Sequence, residues 1–424
     1  MVLPLMVARL VLGALAALLL ICLPSRIDRT VALQSNGCTA TLTPGEDISA
    51  AIAGAAPRAT LCLAAGEHRP FVVRSTAPRG LTVQGIGAGT VVAGSETEPA
   101  VTIEAEGFTL TDVTLRGGSP AALYARDARS LTLRDVAVGQ TAVGLLLDEG
   151  TEARLEDSTI SGTTGAGVVL RGRATAMVTR LNVDAAGGIG VAAILDGARL
   201  TIVGGRIEGG AGPAVFAGVP GCAVVGLGTI ETPRCFTDNP EGYVADSRVA
   251  LADVTINDGP GRGVVAFPGA QVDLLRTAVN GRLEGGLFAW GARATITESV
   301  FDSNWGSGVE LRGYPDAAGG TVVQAAGAIR RTTIRSTRRP DGTPLGDGIV
   351  ARGSHVSVID SEVVTGQGNG IAMLAGTTGE VSLNHVQDNG GDGICFARES
   401  MILAAGNDLS GNRTDLITDC PHPP

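Results

Sequence analysis

A chain of 424 residues with 44% hydrophobic side chains, 62 glycines and only 3% aromatics lacks the large rings that fill globular cores, and with no linker dividing it suits one long solenoid better than several domains. Its formal net charge of -10 argues against nucleic acid as the main partner, since phosphate binding draws on positive charge. All 32 basic residues are arginine, which excludes chemistry that needs a lysine base or Schiff base.

Residues 1–32 read as a signal peptide or N-terminal anchor. Arg9 precedes the apolar run from Leu10 to Leu23, which has the length of a signal-peptide core and is short for a membrane span. Export to the periplasm, the cell exterior or the cell surface is therefore expected, and a membrane is a partner only if this segment stays uncleaved. Residues 33–58 form a linker and an N-terminal cap. There Pro44-Gly45-Glu46-Asp47 leads into a run of small apolar residues that fits a short helix with Asp47 near its N-terminus, placed to cover an open strand edge.

From Ala100 a small residue followed by an apolar triplet recurs at Ala122, Gly144, Gly167, Gly190 and Ala214, then at Gly263, Gly286, Gly308, Gly348, Gly370 and Gly393. Most intervals are 22 to 24 residues, and the two long ones, 49 and 40, read as ordinary turns plus an insertion. The residue after each small one is Leu, Val or Ile throughout, so positions one and three of each strand should point inward while two and four point out. Such coils bury one another only when stacked, which predicts an all-β, single-stranded parallel β-helix over 59–417 with a short capping helix, two insertion loops and a tail at 418–424. These repeats resemble the pectin-lyase-like right-handed parallel β-helix proteins, recognised by a Gly-Ile-x-hydrophobic strand, a turn and a valine-rich strand. The resemblance implies right-handed coils. It implies no single activity, because that superfamily holds lyases, hydrolases, epimerases and proteins without known chemistry.

The column Asp112, Asp135 and Asp157 ends the valine-rich strand in successive coils. Stacked carboxylates could bind calcium, but no specific motif supports that and the column continues as Arg180, so turn-capping is the favoured reading and no cofactor is expected. The insertions lie at roughly 219–247, with Cys222, Cys235, Phe236 and Tyr243, and at roughly 313–347, with the arginine-rich run Arg330 to Arg339. Polygalacturonase-type motifs are absent, and the pectate-lyase pattern is only approached at Arg338, Arg339 and Pro340, where Thr343 replaces the closing arginine. Isolated carboxylates remain at Asp302, Glu310, Asp347, Asp360 and Asp392; paired, two of them could do acid/base work.

Six cysteines after Cys22 fall into sequence-local pairs, Cys38 with Cys62, Cys222 with Cys235 and Cys395 with Cys420, which the solenoid geometry keeps apart from one another. No pair has the close partners that a zinc site requires, so disulfides of an exported protein are expected and no metal. Outward position four reads Phe267, Trp290, Arg312 and Arg352 in four successive coils, with Phe288 beside Trp290. Aromatic faces suit sugar rings and arginine forks suit carboxylates, so this stripe, with Arg338 and Arg339 nearby, is the candidate acidic-glycan groove. The alternative is that the first insertion covers the aromatics to hide an apolar patch. No catalytic residue is identified. The functional expectation is a polysaccharide-binding solenoid, with a polysaccharide lyase or glycoside hydrolase and a noncatalytic surface spacer as alternatives.

Overall fold

The computed structural model describes residues 37–184, 187–195, 197–208, 210–219, 245–315, 321–340 and 346–420. The compact unit that begins at Thr39 is a parallel β-solenoid of about 15 turns. Among the described residues its one α-helix, α1, Ile48–Gly54, starts where Asp47 accepts a hydrogen bond from the Ala50 amide at 3.0 Å, and it buries Ile48 and Ile52. That satisfies an orphan donor of the first helical turn, as the capping residue predicts.

One sheet is a simple stack of 14 strands from Phe71–Val73 to Thr414–Ile417, each paired in parallel with the equivalent strand of the next coil. The predicted register is realised. Leu123, Leu145, Val168, Val191, Val215, Val264, Leu287, Val309, Ile349, Ile371 and Ile394 lie opposite one another rung by rung. All are buried in one continuous core that also takes the inward residues of the remaining strands. The opening residue is small because the coils touch there: a Cβ at Gly286 would sit 2.4 Å from the Gly308 carbonyl oxygen and 2.6 Å from the Phe301 ring.

Position two points outward, as expected. Leu146, Val169, Ala192, Phe216 and Val265 do lie on the face away from the core, yet they are buried in a second apolar cluster. In these coils, then, alternation marks two apolar clusters, one on each face of the sheet, with Tyr124, Leu195, Phe267 and Phe288 packed against the outer one.

Apart from one two-stranded hairpin, the other described strands form a 24-stranded sheet that bends at a corner in each coil. Asp112, Asp135 and Asp157 occupy that corner with φ of 57°, 52° and 50°, followed by Arg180 at 55°. A left-handed corner favours Asp among non-glycine residues, which accounts for the column. Further along, Asp253, Arg276, Glu298 and Arg331 hold the same conformation. Neighbours of opposite sign pair between coils, as Asp157 with Arg180, Asp253 with Arg276 and Glu298 with Arg331.

The second long interval is resolved differently from the insertion read in the sequence. The extra residues form an antiparallel hairpin, Tyr314–Pro315 with Thr321–Val323, after which the chain rejoins the solenoid. Ala325–Arg330 pairs with Arg293–Thr297 and Thr333–Arg335 with Val300–Asp302, so most of the arginine run is strand and corner rather than loop. The first insertion, including Cys222, Cys235, Phe236 and Tyr243, lies outside the described residues. Cys38 and Cys62 are each disulfide-bonded, and Cys395 pairs with Cys420, with Cα atoms 5.3 Å apart.

A buried ion pair fixes the outer face of the early coils. Asp148, 4% exposed, receives Arg171 Nε at 2.8 Å, the Glu149 amide at 3.0 Å and the Tyr124 hydroxyl at 3.1 Å. Burial alone would raise the carboxyl, but these donors, Arg171 first, hold it below its ordinary value. A carboxylate with a depressed folded pKa adds stability above its unfolded value of about 3.8, and this is lost as pH falls through the folded value. Asp148→Asn is accordingly expected to lower the urea midpoint at neutral pH and to flatten its decline below about pH 4; an equally steep decline in the variant would disprove this account.

Candidate functional site

Four adjacent strands of the 14-stranded sheet, Val264–Ala266, Leu287–Trp290, Val309–Arg312 and Ile349–Arg352, carry the stripe. Because their register is unbroken, Trp290 lies opposite Arg312, and Arg312 opposite Arg352. Phe267 packs edge-on to Trp290 with centroids 6.0 Å apart, and Phe288 lies 6.5 Å from Trp290 at a 34° tilt. Both phenylalanines are half-buried against the second apolar cluster, which fixes the ring positions from below.

These side chains line a groove of about 1030 Å³. The structure thus brings Phe267, Phe288, Trp290, Arg312 and Arg352 together along one wall-to-wall depression. Arg338 and Arg339 are not among the described residues lining it. They precede the strand, at the end opposite to position four; Arg338 bridges to Trp305, and the Arg339 amide donates to the Gln367 side chain.

Three features of the groove were not read in the sequence. Its far end is built by Leu374, Arg398, Asp419 and Cys420. There the Cys395–Cys420 disulfide and the Arg398–Asp419 ion pair, 2.6 Å, hold the tail against the last strands. Beneath the stripe Glu310, 2% exposed, occupies outward position two, with Arg262 Nη1 at 3.0 Å from Oε2 and Arg312 Nε at 2.5 Å from Oε1. Arg262 also lies over the Phe288 ring at 4.3 Å, a cation–π contact. The outward parity of Glu310 was legible; its burial was not, because that depends on Arg262 reaching across from the residue before Gly263.

Several of the isolated carboxylates hold partners of their own. Asp302 pairs with Arg335, Asp392 takes Arg413 through both oxygens, and Asp347 accepts the Asn369 amide. Among the described residues no group of three or more His, Cys, Asp or Glu is placed to hold a metal ion.

A family model described as "Right handed beta helix region" matches residues 320–421. No curated relative matches the chain. Among solved structures, the A-module of mannuronan C-5 epimerase AlgE6 from Azotobacter vinelandii is 16% identical and superposes with a TM-score of 0.52, covering 86% of this chain and 96% of that one. The AlgE4 A-module of the same organism is also 16% identical, with a TM-score of 0.45 over 90% and 98% of the two chains. The catalytic unit of an α-1,3-glucanase from Streptomyces thermodiastaticus is 14% identical, with a TM-score of 0.46 over 90% of this chain and 69% of that one. At 16% identity the likeness to the AlgE6 module speaks for fold alone. The rung register, the repeat and the matched region together make this chain a right-handed parallel β-helix protein.

Proposed function

We propose that this is an exported solenoid that binds a polysaccharide, with an acidic glycan favoured, in the groove over Phe267, Phe288 and Trp290. The observation that carries the proposal is the groove itself: aromatic rings at one end and Arg312 and Arg352 beyond them line a single depression of about 1030 Å³. Ring faces match the apolar faces of sugars, and guanidinium forks match carboxylates. Three or four coils at about 4.8 Å each span a few sugar units. The module of similar fold named for mannuronan makes that polymer a suitable first probe.

Binding is favoured over hydrolysis because the described lining offers two carboxylates, Glu399 and Asp419, and Asp419 is held by Arg398. General acid/base cleavage needs a pair flanking the scissile bond. Calorimetry with mannuronan and neutral oligosaccharides tests the proposal. Arg352→Ala is expected to weaken acidic-oligosaccharide binding by about tenfold and to reduce its salt dependence. Unchanged affinity, or equal affinity for neutral oligosaccharides, would remove the acidic preference. Release of unsaturated or reducing ends on incubation would favour the enzyme reading instead.

A further inference from the structure

Glu310 poses a problem that binding chemistry has to answer. A carboxylate placed under a groove for an acidic ligand repels that ligand, and here it is 2% exposed, so water screens it little. It touches two guanidiniums, Arg262 through Oε2 and Arg312 through Oε1. The Arg262 contact is an aligned hydrogen bond of 3.0 Å, whereas the Arg312 contact is an ionic one made through Nε without hydrogen-bond alignment. Both cations lie near Phe288, its ring centre 4.3 Å from Arg262 and 6.0 Å from Arg312. Arg312 itself is half-exposed and lines the groove.

We propose that Glu310 is a positioning residue for ligand capture: anchored by Arg262, it holds Arg312 by Nε so that the two terminal amino groups form a preset fork for a ligand carboxylate. This rests on the acidic-glycan reading above and adds the device that makes one arginine specific for a planar, two-oxygen anion. An arginine held in this way loses less side-chain freedom on binding than a mobile one, and a fork recognises a carboxylate in a way that a point charge does not. The local charge stays positive, with two guanidiniums around one carboxylate.

The sign of one substitution separates positioning from simple electrostatics. Glu310→Gln removes a negative charge from beneath the groove, so charge alone predicts tighter binding of mannuronan oligosaccharides. Positioning predicts the reverse, a loss of about tenfold, because the fork is no longer held. Arg312→Lys gives a second arm on an exposed side chain: it keeps the charge and loses the fork, and is expected to bind as weakly as Arg312→Ala. Thermal unfolding and circular dichroism of each variant confirm that the solenoid is intact, and the lysine variant decides the matter if Glu310→Gln does not fold. Equal or tighter binding by Glu310→Gln, or retention of wild-type affinity by Arg312→Lys, would overturn the proposal while leaving the groove reading in place. Failure of the wild-type protein to bind any acidic oligosaccharide would instead remove the groove reading on which it depends.

Discussion

Replacing Arg282 by alanine is expected to destabilise the second half of the solenoid by about 4 kcal/mol. This side chain is fully buried. Its Nε donates to the Gly261 carbonyl at 2.9 Å, Nη1 to Asn257 at 3.1 Å and Nη2 to Gly212 at 3.1 Å, so one guanidinium satisfies carbonyls from several coils. Truncation leaves those acceptors buried without a donor and opens a void the size of the side chain. Burial pushes the group down to about 10, still far above neutrality, so the cation is present under ordinary conditions. The sign follows from that depression: burial of the charge opposes folding at neutral pH, and the opposition would fade only above about 10, where the folded state releases its proton first. Urea unfolding read by tryptophan fluorescence is a local probe, because the Trp305 amide donates to the Arg282 carbonyl at 2.7 Å. An unchanged midpoint in Arg282→Ala would refute the account, and Arg282→Lys should recover only part of the loss, since an ammonium cannot span three carbonyls so placed.

Removal of the Cys395–Cys420 disulfide is expected to cost about 3 kcal/mol by loop entropy, the bridge closing a separation of 25 residues. In a solenoid each coil is stabilised mainly by its neighbours, so the loss should appear as early melting of the C-terminal coils rather than a uniform shift. Hydrogen exchange on Cys395→Ala/Cys420→Ala should show faster exchange over Met401–Ala405 and Thr414–Ile417, with Leu145 and its neighbouring rungs unaffected. Because Cys420 lines the groove, mannuronan binding should weaken in the same variant. Protection and affinity equal to wild type would show that the ion pair between Arg398 and Asp419 holds the tail unaided.

Much of the architecture was legible in the sequence because a solenoid repeats its constraints. The residue after each opening glycine meets the same neighbours in every coil, so its column stays apolar and the register can be counted directly. The stripe at position four was legible for the same reason, parity and period being enough to place Trp290 beside Arg312. What escaped were contacts that depend on reach rather than on parity. Arg282 looks like any other arginine until its carbonyl partners from earlier coils are seen, and Glu310 looks solvated until Arg262 arrives beside it. The position-two column, from Leu146 to Val265, has its face set by parity, while its burial in a second apolar cluster is not a property of parity. Likewise the arginine run after Ala325 looks like loop in the sequence, because strand length and hairpin length do not separate in an interval of 40 residues.

The left-handed corner governs how the exterior can be written. Its occupants run Asp112, Asp135, Asp157, Arg180, Gly204, Asp253, Arg276, Glu298, Arg331, Asp360, Leu383 and Gly406, all with φ between 46° and 68°. Acid, base, aliphatic and glycine succeed one another at a fixed backbone geometry, so the fold constrains the angle and leaves the chemistry open. Each coil therefore offers one substitutable address about 4.8 Å from the next along a straight edge. Such an edge is a molecular ruler, on which a chosen sequence of charges could be displayed at single-rung spacing without rewriting the core.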